Sequence, residues 1–116
     1  MKHSDLIVIL GASENPLRPS YLANKLLRNK GYRTHNIALG NESSNEVLQE
    51  EGEKTITIFL KPNQQKKYYN YVLSLKPAQI IFNPGSENEE LKALATKNNI
   101  KVLSGCTIAL LMNSII

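Results

Sequence analysis

Leu6-Ile7-Val8-Ile9-Leu10-Gly11-Ala12-Ser13-Glu14-Asn15-Pro16-Leu17-Arg18-Pro19-Ser20, near the amino terminus, decides the fold. Its first five residues are an unbroken apolar run rich in β-branched side chains, the pattern of a strand buried on both faces. The stretch over residues 11–20 is rich in small residues and stiffened by Pro16 and Pro19. Beyond it Leu22, Ala23, Leu26 and Leu27 fall on one stripe of a helix over residues 20–30, and Gly31 is placed to end it. A strand that feeds a helix in this way opens a βαβ unit.

The rest of the chain repeats the alternation. Residues 34–39 read as a second strand ended by Gly40-Asn41, and residues 41–54, acidic and polar around Val47 and Leu48, as a loop or a short helix. Thr55-Ile56-Thr57-Ile58-Phe59-Leu60 is the clearest strand by composition, stopped by Lys61-Pro62-Asn63. A helix over 64–75 places Tyr68, Tyr69, Val72 and Leu73 on one stripe, with Pro77 after its end. A fourth strand over 78–82 is broken by Asn83-Pro84-Gly85. Ser86-Glu87-Asn88-Glu89 has the form of a capping box for a helix that buries Leu91, Leu94 and Ala95. A fifth strand over 100–103 and a short helix over 107–112 complete the pattern. Strands alternating with helices predict an α/β fold: one Rossmann-like, doubly wound domain over residues 1–116, with five parallel strands in the order 3-2-1-4-5 and helices on both faces.

Composition agrees with one such domain. The chain has 116 residues, 41% apolar and 21% charged, near the averages for globular proteins, which excludes a fibrous repeat or long disorder. No apolar run approaches the ~20 residues of a membrane-spanning helix, and no secretory leader is visible, so the expected setting is cytoplasmic. Cys106 is the single cysteine, which excludes an internal disulfide and any multi-thiolate metal site within one chain. The net charge of +4 is uneven: residues 1–40 and 61–116 each carry +4, and residues 41–60 carry −4. No dense basic block interleaved with aromatics accompanies it, so charge alone does not indicate nucleic acid.

In an open α/β sheet, ligands bind beyond the carboxyl ends of the strands where strand order reverses. With the expected order, that point lies between strands 1 and 4, beside residues 11–20 and Asn83-Pro84-Gly85. A ten-residue βα turn exceeds the usual ~2–6 residues and signals function. Backbone N–H groups at a helix N-terminus favour an anion, to which Ser13 and Ser20 add hydroxyls and Arg18 a planar guanidinium. The turn is neither G-x-G-x-x-G nor a P-loop, and no Asp or Glu ends strand 2 to grip a ribose, so NAD binding and ATP hydrolysis lose ground.

Gly11-Ala12-Ser13 after strand 1, Arg18-Pro19-Ser20 entering a helix that ends at Gly31-Tyr32, Ile81-Phe82-Asn83-Pro84-Gly85-Ser86-Glu87-Asn88, and Gly105-Cys106-Thr107 together resemble the small stand-alone CoA-binding proteins. Their domain is similar to that of succinyl-CoA synthetase α subunits and of acyl-CoA synthetases, and the resemblance covers essentially the whole chain. It implies that Gly11, Ala12, Ser13, Arg18 and Ser20 hold the pyrophosphate of coenzyme A. It also implies that Leu39 and Gly40 with Leu60, Lys61 and Pro62 flank the adenosine, and that Asn83, Pro84 and Gly85 sit beside the pantetheine arm. Many relatives carry Asn-Pro where this chain has Leu39-Gly40. Lys61 stands where Arg is often found and keeps a positive charge for the 3′-phosphate.

The synthetases use a phosphorylated histidine in a further domain, and 116 residues are too few for a complete ligase. A domain that binds CoA or an acyl-CoA without catalysis is therefore the leading expectation, with a homodimer or a partner protein left open. A second reading makes the protein a small acyl- or thiol-transfer enzyme using Cys106, at a helix start that favours a reactive thiol. The plainer reading of that cysteine is core packing. A third reading is a nucleotide- or nucleic-acid-binding adaptor that uses the basic surface, with Tyr68, Tyr69 and Tyr71 beside Lys66 and Lys67 as candidates for stacking bases. Two of those tyrosines lie on the apolar stripe, which favours a core role.

Overall fold

The computed structural model of the protein describes residues 1–3, 5–40 and 45–116. Asn41, expected at the end of strand 2, and residues 42–44 of the acidic stretch lie outside the described residues. In chain order the elements are β1 (Leu6–Ala12), α1 (Pro19–Asn29), β2 (Arg33–Ala38), α2 (Asn45–Gln49) and β3 (Lys54–Ile58). There follow α3 (Pro62–Gln65), a 3-10 turn (Lys66–Tyr68), α4 (Tyr69–Ser74), β4 (Gln79–Phe82), α5 (Glu89–Lys97), β5 (Lys101–Ser104) and α6 (Thr107–Met112).

All four strand pairings are parallel, and the order is β2-β1-β3-β4-β5. The Rossmann-like α/β class is as expected; the order 3-2-1-4-5 is not. The reason lies in the two strands whose places differ. β2 (RTHNIA) has only Ile37 fully buried, a composition that an edge strand tolerates. β3 (KTITI) is buried at four of its five residues and needs cover on both faces and both edges. It therefore inserts between β1 and β4, and β2 is left at the edge.

Period-two alternation along β1 divides the core in two. Leu6, Val8 and Leu10 join Ile56, Ile58, Ile80 and Phe82 of the neighbouring strands under Val47 of α2, Val72 of α4, and Leu91 and Ala95 of α5. Ile7 and Ile9 face the opposite way, against Leu27 of α1 and Leu111 of α6. Right-handed crossovers require this division. The chain steps one way from β1 to β2 and the other way from β2 through β3, β4 and β5, so α1 lies on the opposite face from α2, α4 and α5.

Three local expectations are corrected by packing. Leu22 does not join the buried stripe of α1, whose buried residues are Ser20, Ala23 and Leu27; it is exposed. The helix expected over 64–75 is divided by the 3-10 turn, because Gln65, Tyr68, Tyr71, Val72 and Leu75 are the buried positions and their near-threefold spacing suits a tighter helix. The capping box does not form: Asn88 is the N-cap of α5, its Oδ1 accepting from Leu91 N–H at 3.1 Å. Ser86 is buried, and its hydroxyl bonds to the Ile58 and Asn83 carbonyls instead.

Candidate functional site

With the order 2-1-3-4-5, the chain reverses direction across β1, and the crevice at the carboxyl edge opens between β1 and β3. The expected position between strands 1 and 4 is corrected by one strand, because β3 occupies the place beside β1. The turn after β1 remains at the reversal point.

Gly11 shapes that turn. Its φ is +91°, and a Cβ built on it would lie 2.9 Å from Leu60 Cδ2 and 3.1 Å from Leu60 N. The end of β3 therefore presses directly on the backbone of Gly11, beside an irregularity in the β1–β2 register between Leu10 and Ala12. Beyond it the turn ties itself into shape. Ser13 N–H donates to the buried Ser20 hydroxyl at 3.1 Å, and Ser13 Oγ accepts from Asn15 N–H at 3.1 Å. Asn15 Oδ1 accepts from Leu17 N–H at 3.0 Å, and the Asn15 carbonyl accepts from Arg18 N–H at 3.0 Å. Ser20 thus braces the turn from inside, as the second residue of α1 rather than its cap.

The start of α1 suits an anion. Arg18 is the N-cap, no side chain caps the helix, Pro19 occupies the first turn, and no acidic residue lies there. Its first-turn donors and partial positive charge are left uncompensated by any side chain. The Arg18 side chain is exposed, and its guanidinium has no partner among the described residues.

The expected adenosine residues come from the two flanking strands. Leu39, 49% exposed, and Gly40 follow β2. Gly40 N–H donates to the Tyr68 hydroxyl at 3.2 Å, which ties the end of β2 to the segment after β3. Leu60 is buried beneath Gly11; Lys61 and Pro62 are exposed and start α3. Lys61 N–H donates to Gln64 Oε1 at 3.0 Å, and Gln64 N–H returns a bond to the Lys61 carbonyl at 2.9 Å. Next to this segment is an open groove of about 500 Å³ lined by Leu39, Asn63, Gln64, Lys66 and Lys67.

At the end of β4, Pro84 and Gly85 are exposed, but Asn83 is buried with its side chain committed inward. Its Nδ2 donates to Thr57 Oγ1 at 2.8 Å and to the Ile58 carbonyl at 2.9 Å, and its Oδ1 accepts from Thr107 N–H at 2.8 Å. Asn83 thereby fixes the ends of β3 and β4 against the start of α6. A second bracket is centred on Gln65, a fully buried side chain that the sequence reading passed over. Its Nε2 donates to the Leu60 and Ser86 carbonyls at 2.9 and 2.7 Å, and its Oε1 accepts from Asn88 Nδ2 at 3.0 Å. Asn88 Nδ2 also donates to the Tyr69 hydroxyl at 2.8 Å. Burial first, and then the Glu90 carboxylate, raise the Tyr69 phenol above its ordinary pKa, while the bond from Asn88 pulls the other way.

Cys106 is half-buried at the N-cap position of α6, at the carboxyl edge of the sheet. His3 lies at the opposite, amino end, edge-on to Tyr32 with ring centroids 4.7 Å apart. His35 pairs with Val8 in mid-strand on the far edge of the sheet. Neither histidine is placed to serve Cys106 as a base. Tyr68 and Tyr71 are buried and Tyr69 is half-buried, so none of the three presents a free ring for base stacking. Among the described residues, no group of three His, Cys, Asp or Glu side chains converges as a metal site, and no helix is long and apolar enough to cross a membrane.

A five-stranded parallel sheet of this order, with a long glycine-led turn at its point of reversal, defines a Rossmann-like α/β domain with its candidate site at the carboxyl edge. The chain belongs to the CoA binding domain family, whose sequence pattern matches residues 5–112. It is similar to a solved structure described only as an uncharacterized protein, with 36% identity, a TM-score of 0.84, and coverage of 96% of this chain and 97% of that one. A Thermus thermophilus protein termed cell-free ID.343 is 23% identical with a TM-score of 0.73, the match covering 88% of this chain and 84% of that chain. A hypothetical protein from Pyrococcus horikoshii OT3 is 22% identical with the same TM-score of 0.73, covering 89% and 78%. These last two likenesses show the fold alone. No curated protein matches the chain.

Proposed function

We propose that this protein binds coenzyme A, or an acyl-CoA, as a non-catalytic module. The pyrophosphate lies on the turn formed by Gly11, Ala12, Ser13, Arg18 and Ser20. The observation that carries this reading is the start of α1: uncapped by any side chain, free of acidic residues, and flanked by an exposed, unpartnered Arg18 at the strand-reversal point. The residues present fit a diphosphate, since the turn is braced from within by Ser20 while the guanidinium and the helix start stay available.

The adenosine end lies toward Leu39, Gly40, Leu60, Lys61 and Pro62, and the pantetheine arm passes the exposed Pro84 and Gly85. Asn83 supports that turn from beneath rather than meeting the ligand. The bound group supplies a thiol or thioester. What the chain supplies is a cradle for the nucleotide end, with no histidine placed beside Cys106. Isothermal titration tests the reading: CoA binds at micromolar or tighter affinity, and Arg18→Ala weakens binding by about 1.5–3 kcal/mol, the range for a hydrogen bond to a charged group. Unchanged affinity in that variant removes Arg18 from the site.

A further inference from the structure

The side of the sheet covered by α1 and α6 is apolar at its outer surface as well as beneath. Residues 102–116 contain no charged side chain, in a chain where 21% of residues are charged. Of α6 only Thr107 and Leu111 are buried. Met112 and Ile115 are 65% and 63% exposed, and Ala109, one turn before Met112, is exposed with them. α1 extends this surface. The Thr34 hydroxyl of β2 donates to Asn24 Oδ1 at 2.6 Å and accepts from Arg28 Nε at 2.9 Å, so that flank of the helix faces the edge strand. Leu22 and Leu26 lie on the other flank, toward α6. Leu26 is half-buried on the cluster that holds Leu111, and Leu22 is 45% exposed. Three of the six large apolar side chains exposed among the described residues, Leu22, Met112 and Ile115, therefore share one side of the molecule.

We propose that this face pairs with the same face of a second copy of the chain, as a two-fold homodimer. Charge, relief and size favour a copy as the occupant. Two copies of a chain with net charge +4 repel one another, and the repulsion is least where the facing surfaces carry no charge. The relief of α6 is self-complementary. A two-fold axis beside the helix sets Met112 of each copy over Ala109 of the other, a large side chain into the gap left by a small one. A stable interface uses about 800 Å² per partner, and one side of a molecule measuring 32 × 29 × 26 Å presents roughly that area. The interface is independent of the CoA reading, since no residue assigned to the ligand belongs to it.

Sedimentation equilibrium of the full chain at tens of micromolar, in low and in high salt, tests this. The wild type sediments at twice the mass of one chain. Added salt strengthens the association, because it screens the repulsion between like-charged copies and there is no ion pair to weaken. Met112→Lys weakens the dimer at least about tenfold, since like charges then meet across the axis. Lysine suits the last turn of a helix, and an unchanged urea midpoint shows that the variant folds. Leu22→Lys, on the other helix of the face, repeats the loss. Leu48→Lys, at an exposed leucine of α2 on the opposite face of the sheet, leaves the dimer intact. A monomer under every condition overturns the inference, as does a dimer that both Met112→Lys and Leu22→Lys leave unchanged or that Leu48→Lys disrupts equally. A dimer that dissolves as salt rises also overturns it, and points instead to the basic residues 1–40 of one copy meeting the acidic residues 41–60 of the next.

Discussion

Replacing Gly11 by alanine tests how the site is held open. Two costs arise at that position. The residue sits at φ +91°, where an L side chain costs about 1–2 kcal/mol. The new Cβ would also lie 2.9 Å from Leu60 Cδ2 and 3.1 Å from Leu60 N. The leucine side chain can swing, but it is buried in the core, and the backbone nitrogen at the end of β3 cannot move without displacing the strand. Overpacking of this kind costs about 1–3 kcal/mol. Reduced freedom of the unfolded chain returns about 0.4–1 kcal/mol.

The net loss for Gly11→Ala is about 1–4.6 kcal/mol, centred near 3. Gly40→Ala is the internal control, since its φ is +90° but nothing lies within 4 Å of a built Cβ. It should lose only the conformational part, about 0–1.6 kcal/mol. Urea denaturation followed by circular dichroism reads both variants, as a shift in midpoint at unchanged slope. Equal losses for the two glycines would refute the claim that β3 presses on the turn. A loss below about 0.5 kcal/mol for Gly11→Ala would remove the backbone strain as well.

One variant separates support from ligand contact, and another tests a pH dependence. Asn83→Ala orphans the buried Thr107 N–H and removes the bonds to Thr57 and Ile58, so it should destabilise the fold by about 2–4 kcal/mol in the same urea assay. Its CoA affinity should change less than that of Arg18→Ala; the reverse ranking would make Asn83 a ligand contact. Tyr69 carries a pH dependence, because its raised phenol pKa means that the folded state holds the proton more tightly than the unfolded chain. The resulting stabilisation is full below the ordinary phenol pKa of about 10 and fades as pH rises through the higher folded value. Urea midpoints across that window should fall less steeply for Tyr69→Phe than for the wild type, and identical slopes would contradict the assignment.

What the sequence made legible follows from the range of the forces involved. β1, the Gly11 turn and α1 were readable because an apolar run, a glycine and a 3.6-residue stripe act within a few neighbours. The place of β2 was also signalled: Arg33, Thr34, His35 and Asn36 are too polar for a strand flanked on both sides, and weighing them would have put β2 at the edge. The start of α5 was not decidable locally, since Ser86 and Asn88 are both good N-caps. Ser86 is claimed by the Ile58 carbonyl, 28 residues away in sequence. Asn83 shows the same gap, because an asparagine after a strand reads equally well as a ligand contact or as a bracket. Only the meeting of Thr57, Ile58 and Thr107 around its amide shows the bracket. The bond between Gly40 and Tyr68 likewise joins residues whose relation depends on β2 lying beside β1.

Native mass spectrometry of the purified full chain with coenzyme A added tests the central claim most directly. The account predicts a one-to-one adduct shifted by the mass of the thiol nucleotide, depleted in Arg18→Ala under the same conditions. A spectrum showing only the bare chain at saturating CoA, or an adduct equally abundant in Arg18→Ala, would contradict it.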